Sequence, residues 1–243
     1  MTKIIEQIGQ CRTSNWSPWE GCFRVSEGCA KCYVPKVDTF TDKYLPLDPT
    51  VLASREFVVI SMFTDLFLEE ADHLRNSVWS IIKQYPGTIF EIITKRVERI
   101  ETCLPEDWGD GYENVIFCVS VENQRRADER IPVLQKLPCK HRWLNCAPLL
   151  EDIDIAKYLK TGMIEAVNAS GERWGQNVRG AKYVWMEHLS EQCRANNVHF
   201  EIMNLGQDFD YNGQIIHDFN KCYRSEVAKS LGLDNYIPLT FNI

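Results

Sequence analysis

The sequence predicts an α/β fold, a barrel or partial barrel built from repeated βα units. Three observations carry that prediction. Short apolar, β-branched runs alternate with longer amphipathic stretches along most of the chain, the pattern of a parallel sheet with helical crossovers. Punctuating residues such as Pro86-Gly87, Pro138 and Gly162 fall where the amphipathic stretches end. The length, 243 residues, is near that of an α/β barrel and suits one domain with a substantial core.

The elements follow in order. A short first strand is expected within residues 10–16, ahead of a cysteine-rich loop. Apolar runs predict strands over residues 56–62, 88–94, 115–121, 142–146, 164–169 and 198–203. Helices are expected between them, over residues 71–85, 95–104, 123–137, 153–160 and 181–196. Beyond Met203 the βα period fades, and that segment, with Cys222, reads as a helix plus a packed tail.

Composition narrows the function classes. A hydrophobic share of 44% and an aromatic share of 11% are ordinary for a globular protein. No apolar run reaches the length of a membrane span and the first residues lack a signal-peptide core, so a cytoplasmic protein without a membrane partner is expected. Ten cysteines are too sparse for a small disulfide scaffold and point to reduced thiols and metal ligation. A formal net charge of -7 argues against broad adhesion to nucleic acid, although a local basic face remains compatible with phosphate binding.

Cys22, Cys29 and Cys32 are closely spaced and interleaved with Gly21 and Gly28. Three thiolates are one fewer than a closed tetrahedral site needs, which leaves a coordination position for substrate or cofactor. The glycines let the backbone turn tightly around bound sulfide. A structural zinc site, completed by Cys11 or His141, is the alternative.

In barrels of this kind the active site lies at the C-terminal ends of the strands. That rule selects Thr64 and Asp65, Thr94 and Lys95, Ser120 and Glu122, Asn145 and Cys146, then Asn168, Ser170 and Glu172. Each has a plainer alternative. Thr64 and Asp65 are good helix caps, Glu122 is placed to cap the helix over residues 123–137, and Lys95 either starts a solvated helix or faces a carboxylate. Cys118 shares strand parity with Ser120 and Glu122, so all three face the interior if the strand extends that far. Cys118 and Cys146 are small core residues or, near a rim, thiols able to donate a hydrogen atom. Trp16 and Trp19 flank the loop as core, shield or base-stacking residues. Arg96 and Arg99, Arg125 and Arg126, and Lys140, His141 and Arg142 form either a phosphate-binding rim or scattered surface charge.

The run Asn15-Trp16-Ser17-Pro18-Trp19-Glu20-Gly21-Cys22, followed by Val25-Ser26-Glu27-Gly28-Cys29-Ala30-Lys31-Cys32-Tyr33, resembles the signature of a phage-associated three-cysteine-motif family. So do Ser61-Met62-Phe63-Thr64-Asp65-Leu66-Phe67, Ile93-Thr94-Lys95-Arg96-Val97-Glu98-Arg99, Val119-Ser120-Val121-Glu122-Asn123-Gln124 with Arg130-Ile131-Pro132, and Cys146-Ala147-Pro148-Leu149-Leu150. More distantly, the same blocks resemble the spore photoproduct lyase branch of the radical S-adenosylmethionine enzymes. Two features depart from those patterns. Six residues separate Cys22 from Cys29 where the commonest loop has three, and Ala147 stands where many relatives carry an acidic residue.

The resemblance implies a partial (β/α)6 TIM-like barrel of the radical S-adenosylmethionine type over residues 1–205, including the cluster loop over residues 21–33, with a C-terminal extension over residues 206–243 packed on it. It implies a [4Fe-4S] cluster on Cys22, Cys29 and Cys32, with S-adenosylmethionine chelating the open iron and releasing a 5′-deoxyadenosyl radical on reduction. Cofactor contacts then fall to Tyr33, Ser61, Thr64, Asp65, Thr94, Lys95, Ser120, Glu122, Asn145 and Asn168, and catalytic roles to Cys118, Glu122 and Cys146. The implied partners are DNA or a modified nucleotide as substrate and a reducing electron donor such as flavodoxin or ferredoxin. The implied reaction is isomerisation or rearrangement of a modified thymidine in phage DNA hypermodification, in the host cytoplasm. Thymine photoproduct repair, or a non-catalytic zinc or cluster protein that binds nucleic acid, are the alternatives.

Overall fold

The computed structural model describes residues 2–12, 14–48, 50, 56–173, 177–217 and 227–243. In chain order the elements are β1 (Thr2–Ile5), α1 (Ile8–Cys11), β2 (Asn15–Trp16), β3 (Glu20–Cys22), β4 (Thr39–Thr41), β5 (Phe57–Ile60), α2 (Arg75–Gln84), β6 (Ile89–Thr94), β7 (Val115–Ser120), α3 (Gln124–Lys136), β8 (His141–Cys146) and α4 (Ala156–Leu159). They continue with β9 (Ala166–Ser170), β10 (Ala181–Lys182), α5 (Tyr183–Ala195), β11 (His199–Asn204), β12 (Asp208–Tyr211), β13 (Gln214–His217) and β14 (Leu239–Asn242). The central sheet has seven strands in the order β11-β9-β8-β7-β6-β5-β2, and every neighbouring pair is parallel.

Burial on both faces explains why these strands read as nearly continuous apolar runs. Every residue of β7, Val115–Ser120, is buried. Alternate residues divide between two cores. Val58, Ile60, Phe90, Ile92, Phe117, Val119, Leu144 and Val167 pack with Val78, Ile82, Ile131 and Leu134 from the helices. Phe57, Val59, Ile116, Cys118, Trp143 and Ala166 face the inner side, where Ile5, Ile8, Leu239 and Phe241 plug one end. The plug is the antiparallel pair of β1 with β14, together with α1.

The strands predicted over residues 56–62, 88–94, 115–121, 142–146, 164–169 and 198–203 correspond to β5, β6, β7, β8, β9 and β11. The first strand is present but brief: residues 8–11 are helical, Thr13 lies outside the described residues, and only Asn15–Trp16 pairs with β5. The predicted helix over residues 123–137 is α3, whose Asn123 side chain accepts from the Arg126 N–H at 2.9 Å. Asn123, not Glu122, is therefore the cap.

The expected (β/α)6 barrel of the radical S-adenosylmethionine type is not what forms. The seven-stranded parallel sheet is a half-barrel with β11 and β2 as its edges, and its crossovers are not a regular ring of helices. Residues 95–104 do not make a helix but two short 3-10 turns, Val97–Arg99 and Glu101–Cys103. The reason is local: Arg96 and Arg99 are drawn back onto Asp65 and onto Phe67 O and Asp72, and Pro105 follows, which cannot continue a helix. Further on, α4 is one turn of four residues, and residues 71–74 precede α2 as the end of a 3-10 helix and turns rather than α-helix. After β11 the chain builds the β12–β13 hairpin, with β10 beside β12, rather than the expected helix followed directly by a tail. Residues 218–226, with Cys222, lie outside the described residues.

Candidate functional site

The cysteine loop is fastened to the C-terminal ends of β5, β6 and β7. Cys22 ends β3, donates its N–H to Lys36 O at 3.2 Å and accepts from the Asp38 N–H at 2.7 Å. Gly21, at φ +98°, could not be another residue, because a Cβ there would meet Thr39 O at 2.2 Å. The Thr64 hydroxyl donates to Gly21 O at 2.6 Å and ties this root to the end of β5. Cys29 closes a 3-10 turn on Ser26 O at 2.9 Å, and the Cys32 N–H donates to Cys29 O at 3.3 Å. The loop then reaches back across the strand ends, where the Tyr33 hydroxyl donates to Met62 O at 3.0 Å.

Two buried carboxylates organise this end. Asp65 accepts from the Thr94 hydroxyl at 2.8 Å and from the N–H groups of Phe67 and Lys95, each at 3.0 Å. Its Oδ2 also lies 3.2 Å from Arg96 Nη1, and the same Nη1 stands 3.7 Å from Cys22 Sγ. Asp65 thus sets a guanidinium against the first cysteine. Glu122, with no exposure at all, accepts from the Ser26 hydroxyl at 2.6 Å and from Arg130 Nη1 at 2.7 Å, and its Oε1 is 3.8 Å from Lys95 Nζ. Gly28 packs directly on this carboxylate, since a Cβ there would meet Glu122 Oε1 at 2.5 Å. Glu122 therefore positions the turn that carries Cys29.

The three thiols do not share one environment. Burial pushes Cys22 up to about 11, with the Asp65 carboxylate adding to it and Arg96 opposing. Burial also opposes ionisation of Cys29, but Lys95, backbone N–H groups and the Ser26 hydroxyl outweigh it and hold that thiol below its ordinary value. Lys95 is held above its own: burial lowers it, and Glu122, Cys29 and Cys32 more than restore it. A cavity of about 290 Å³ opens beside it, between Val25, Arg126 and Arg130.

Below the loop, the strand register builds one polar row on the inner face. Thr94 pairs with Val119, which brings Lys95 opposite Ser120; Ser120 pairs with Asn145, Asn145 with Asn168 and Asn168 with Glu201. Among the described residues, Ser120 Oγ and both Asn168 amide atoms are buried without a hydrogen-bond partner in the chain, as is Ser61 Oγ. Buried polar groups normally have partners; Ser17 Oγ, Trp19 Nε1, His141 Nε2 and His199 Nε2 are in the same condition elsewhere among the described residues. Ser61 is further marked by φ +74°, unusual for a residue other than glycine.

The structure sets Cys22, Cys29, Cys32, Tyr33, Thr64, Asp65, Thr94, Lys95, Ser120 and Glu122 around the same strand ends, with Asn145 and Asn168 next in register, but among the described residues the three thiols do not converge on one point. It separates the two cysteines proposed as hydrogen donors. Cys118 lies on the inner face, whereas Cys146 packs on the helix-covered face. Cys118 is fully buried, and burial with the Glu91 carboxylate pushes it well above the ordinary thiol range. Trp16 and Trp19 are core residues. The expected phosphate rim is divided among acids and carbonyls instead: Arg99 pairs with Asp72, Arg125 and Arg126 with Glu27 and Glu129, and Lys140 with Glu113, while Arg142 donates to Leu134 O and Leu137 O.

Four contributors escaped the sequence reading. Glu91, with no exposure, is paired with Arg12, whose Nε donates at 2.7 Å; the signal was a carboxylate inside the apolar run Ile89-Phe90-Glu91-Ile92. Arg130 and Ser26 stand in the quoted motif blocks but were given no role of their own, and Arg12 had no signal. The nine cysteines among the described residues are free thiols. Among the described residues no three His, Cys, Asp or Glu side chains converge as a single metal ion requires, and no helix is long and apolar enough to cross a membrane.

A family model described as "Protein of unknown function (DUF5131)" matches residues 37–223, more than half of the chain. The matched span starts after Cys32, so the cysteine loop lies ahead of it. Comparison with curated proteins and with solved structures gave no match.

Proposed function

The chain belongs to the DUF5131 family, and from the site we propose that it is a radical S-adenosylmethionine enzyme that acts on a nucleotide or DNA base. One observation carries the reading: a loop with three thiols is anchored by Asp65 and Glu122 over an inner polar row whose Ser120 and Asn168 atoms have no partner in the chain. The donor set fits a [4Fe-4S] cluster with one open iron. Cys22, Cys29 and Cys32 would hold it, and Ser61, Lys95, Ser120, Asn145 and Asn168 are the polar groups available to S-adenosylmethionine. When bound, the pair supplies a 5′-deoxyadenosyl radical on one-electron reduction, the electron coming from a donor of the flavodoxin or ferredoxin class.

The chain's own residues divide the remaining work. Lys95 favours thiolate at Cys29 and offers an ammonium for a ligand carboxylate. Glu122, held by Arg130, fixes the Cys29 turn through Ser26. Cys118 is fully buried in the inner core beside Arg12 and Glu91, and that burial keeps it a thiol and gives it a packing role. The resemblance of the motif blocks, rather than any group in the site, is what puts forward isomerisation or rearrangement of a modified thymidine as the reaction.

Anaerobic reconstitution with iron and sulfide tests the proposal. The expected outcome is a brown protein carrying four irons per chain by the [4Fe-4S] assignment, which releases 5′-deoxyadenosine from S-adenosylmethionine when dithionite is added. A folded Cys22→Ala variant should lose both properties. A colourless protein that binds zinc on the same cysteines would overturn the reading.

A further inference from the structure

We infer that Glu172 and Arg179 are positioning residues for the cysteine loop: Glu172, fixed beyond β9, aims the Arg179 guanidinium at the carbonyl that closes the Cys29 turn. The inference rests on the reading of that loop as the metal site and names residues that seat it. Glu172 stands just past the end of β9, where the strand-end rule places functional side chains. Its own backbone is held firmly. The Gly171 N–H donates to Asn204 O at 3.1 Å and the Gln207 N–H to Glu172 O at 2.8 Å, and a Cβ on Gly171 would meet Leu205 O at 2.3 Å.

The Glu172 side chain is 4% exposed and accepts from the Arg179 backbone N–H at 2.8 Å, from its Nε at 3.1 Å and from its Nη2. Two bonds from one guanidinium to one carboxylate fix its plane as well as its place. The remaining nitrogen, Nη1, then donates to Glu27 O at 2.9 Å, the carbonyl that also accepts from the Ala30 N–H in the 3-10 turn Glu27–Cys29. From the loop side, Lys31 Nζ donates to Asn177 O in the same segment as Arg179. Glu122 seats the turn from beyond β7, and Arg179 seats it from beyond β9, two strands away in the sheet. The loop is thereby tied to two separate parts of the half-barrel rather than to the ends of β5, β6 and β7 alone.

Iodoacetamide labelling of the metal-free full chain, read cysteine by cysteine by peptide mass spectrometry, tests this without a cofactor. Arg179→Lys keeps a cation on Glu172 but lacks the fork, so Cys29 should label about tenfold faster, as loss of one charge-assisted hydrogen bond in a local opening gives. Cys22, rooted in β3, and the buried Cys193 should keep the parent rates. Glu172→Gln combined with Arg179→Ala leaves no buried charge unpaired and should match that effect rather than exceed it, because the two residues act as one unit. After reconstitution, both variants should lose iron to a chelator several-fold faster than the parent chain. Parent rates at Cys29 would overturn the inference, as would faster labelling of Cys193 together with a lower urea midpoint, the mark of a staple for the whole fold. A chain that takes up no iron yet shows the Cys29 effect refutes the metal reading and leaves the seating by Arg179; full iron with Cys29 unchanged in the variants refutes this inference alone.

Discussion

Polar residues on one inner face fare in two ways. Glu91 and Glu201 are fully served: Arg12 donates to Glu91 through two nitrogens, and the Ile8 and Gly9 N–H groups at the start of α1 donate to Glu201 at 2.6 and 3.0 Å. Ser120 and Asn168, in the same row as Glu201, have no partner in the chain. A buried charge without a partner is too costly to survive, so the carboxylates had to be paired by the fold itself. A neutral hydroxyl or amide costs about 1–3 kcal/mol when left alone, which a domain can carry where a ligand restores the bonds. The first pair therefore reports on folding, and the second is where the fold tolerates a neutral group left alone.

Breaking the served pair should give the largest effect. Glu91→Ala leaves the Arg12 guanidinium buried against Cys118, at 4.0 Å from its sulfur, and should cost about 3–5 kcal/mol in urea unfolding. A loss under about 1 kcal/mol would mean that Arg12 reaches water and that the pair is not a folding device. Next comes the loop. Gly28→Ala forces a methyl into Glu122 and should cost about 1–3 kcal/mol while lowering the iron taken up on reconstitution. Cys29→Ser should abolish a full complement of iron with little change in the unfolding midpoint, since its turn is held by backbone bonds and by Ser26 on Glu122. The contrast then sharpens at Asn168. Asn168→Leu replaces an unpaired amide by an apolar group of similar size and should leave stability within about 1 kcal/mol or raise it; a loss of 3 kcal/mol or more would show an unseen structural partner.

How much of this was legible follows from the same distinction. The strands were readable because burial on both faces writes continuous apolar runs, as in Val115-Ile116-Phe117-Cys118-Val119. The rim residues were readable because strand ends are where side chains converge, and register then aligned Ser120, Asn145 and Asn168. The regular barrel was not, because whether residues 95–104 wind into a helix depends on Asp65 and Asp72, some 30 residues away in sequence, capturing Arg96 and Arg99. Parity placed Cys118 correctly on the inner face, but Cys146 lies one step out of phase with Asn145 and so faces the helices. Long-range ion pairs such as Arg12 with Glu91 leave one trace only, the charge inside a strand.

The smallest effect lies at the outer edge of the cysteine loop. Glu27 opens the turn that ends at Cys29; its carboxylate is held down to about 2 from 4.5 by its own backbone N–H and by Arg126, whose Nε donates at 2.9 Å. Because the folded value is the lower one, the stabilisation is fully present above pH 4.5 and is lost as pH falls toward 2. The side chain is 43% exposed, so solvent screening keeps the effect under about 1 kcal/mol. Glu27→Gln should therefore leave a shallower acid limb in urea midpoints between pH 4.5 and 2, and 1 M salt should reduce the difference from the parent chain by roughly the same share. Identical acid limbs would place the carboxylate in open solvent, and the turn would then rest on Ser26, Glu122 and Arg179.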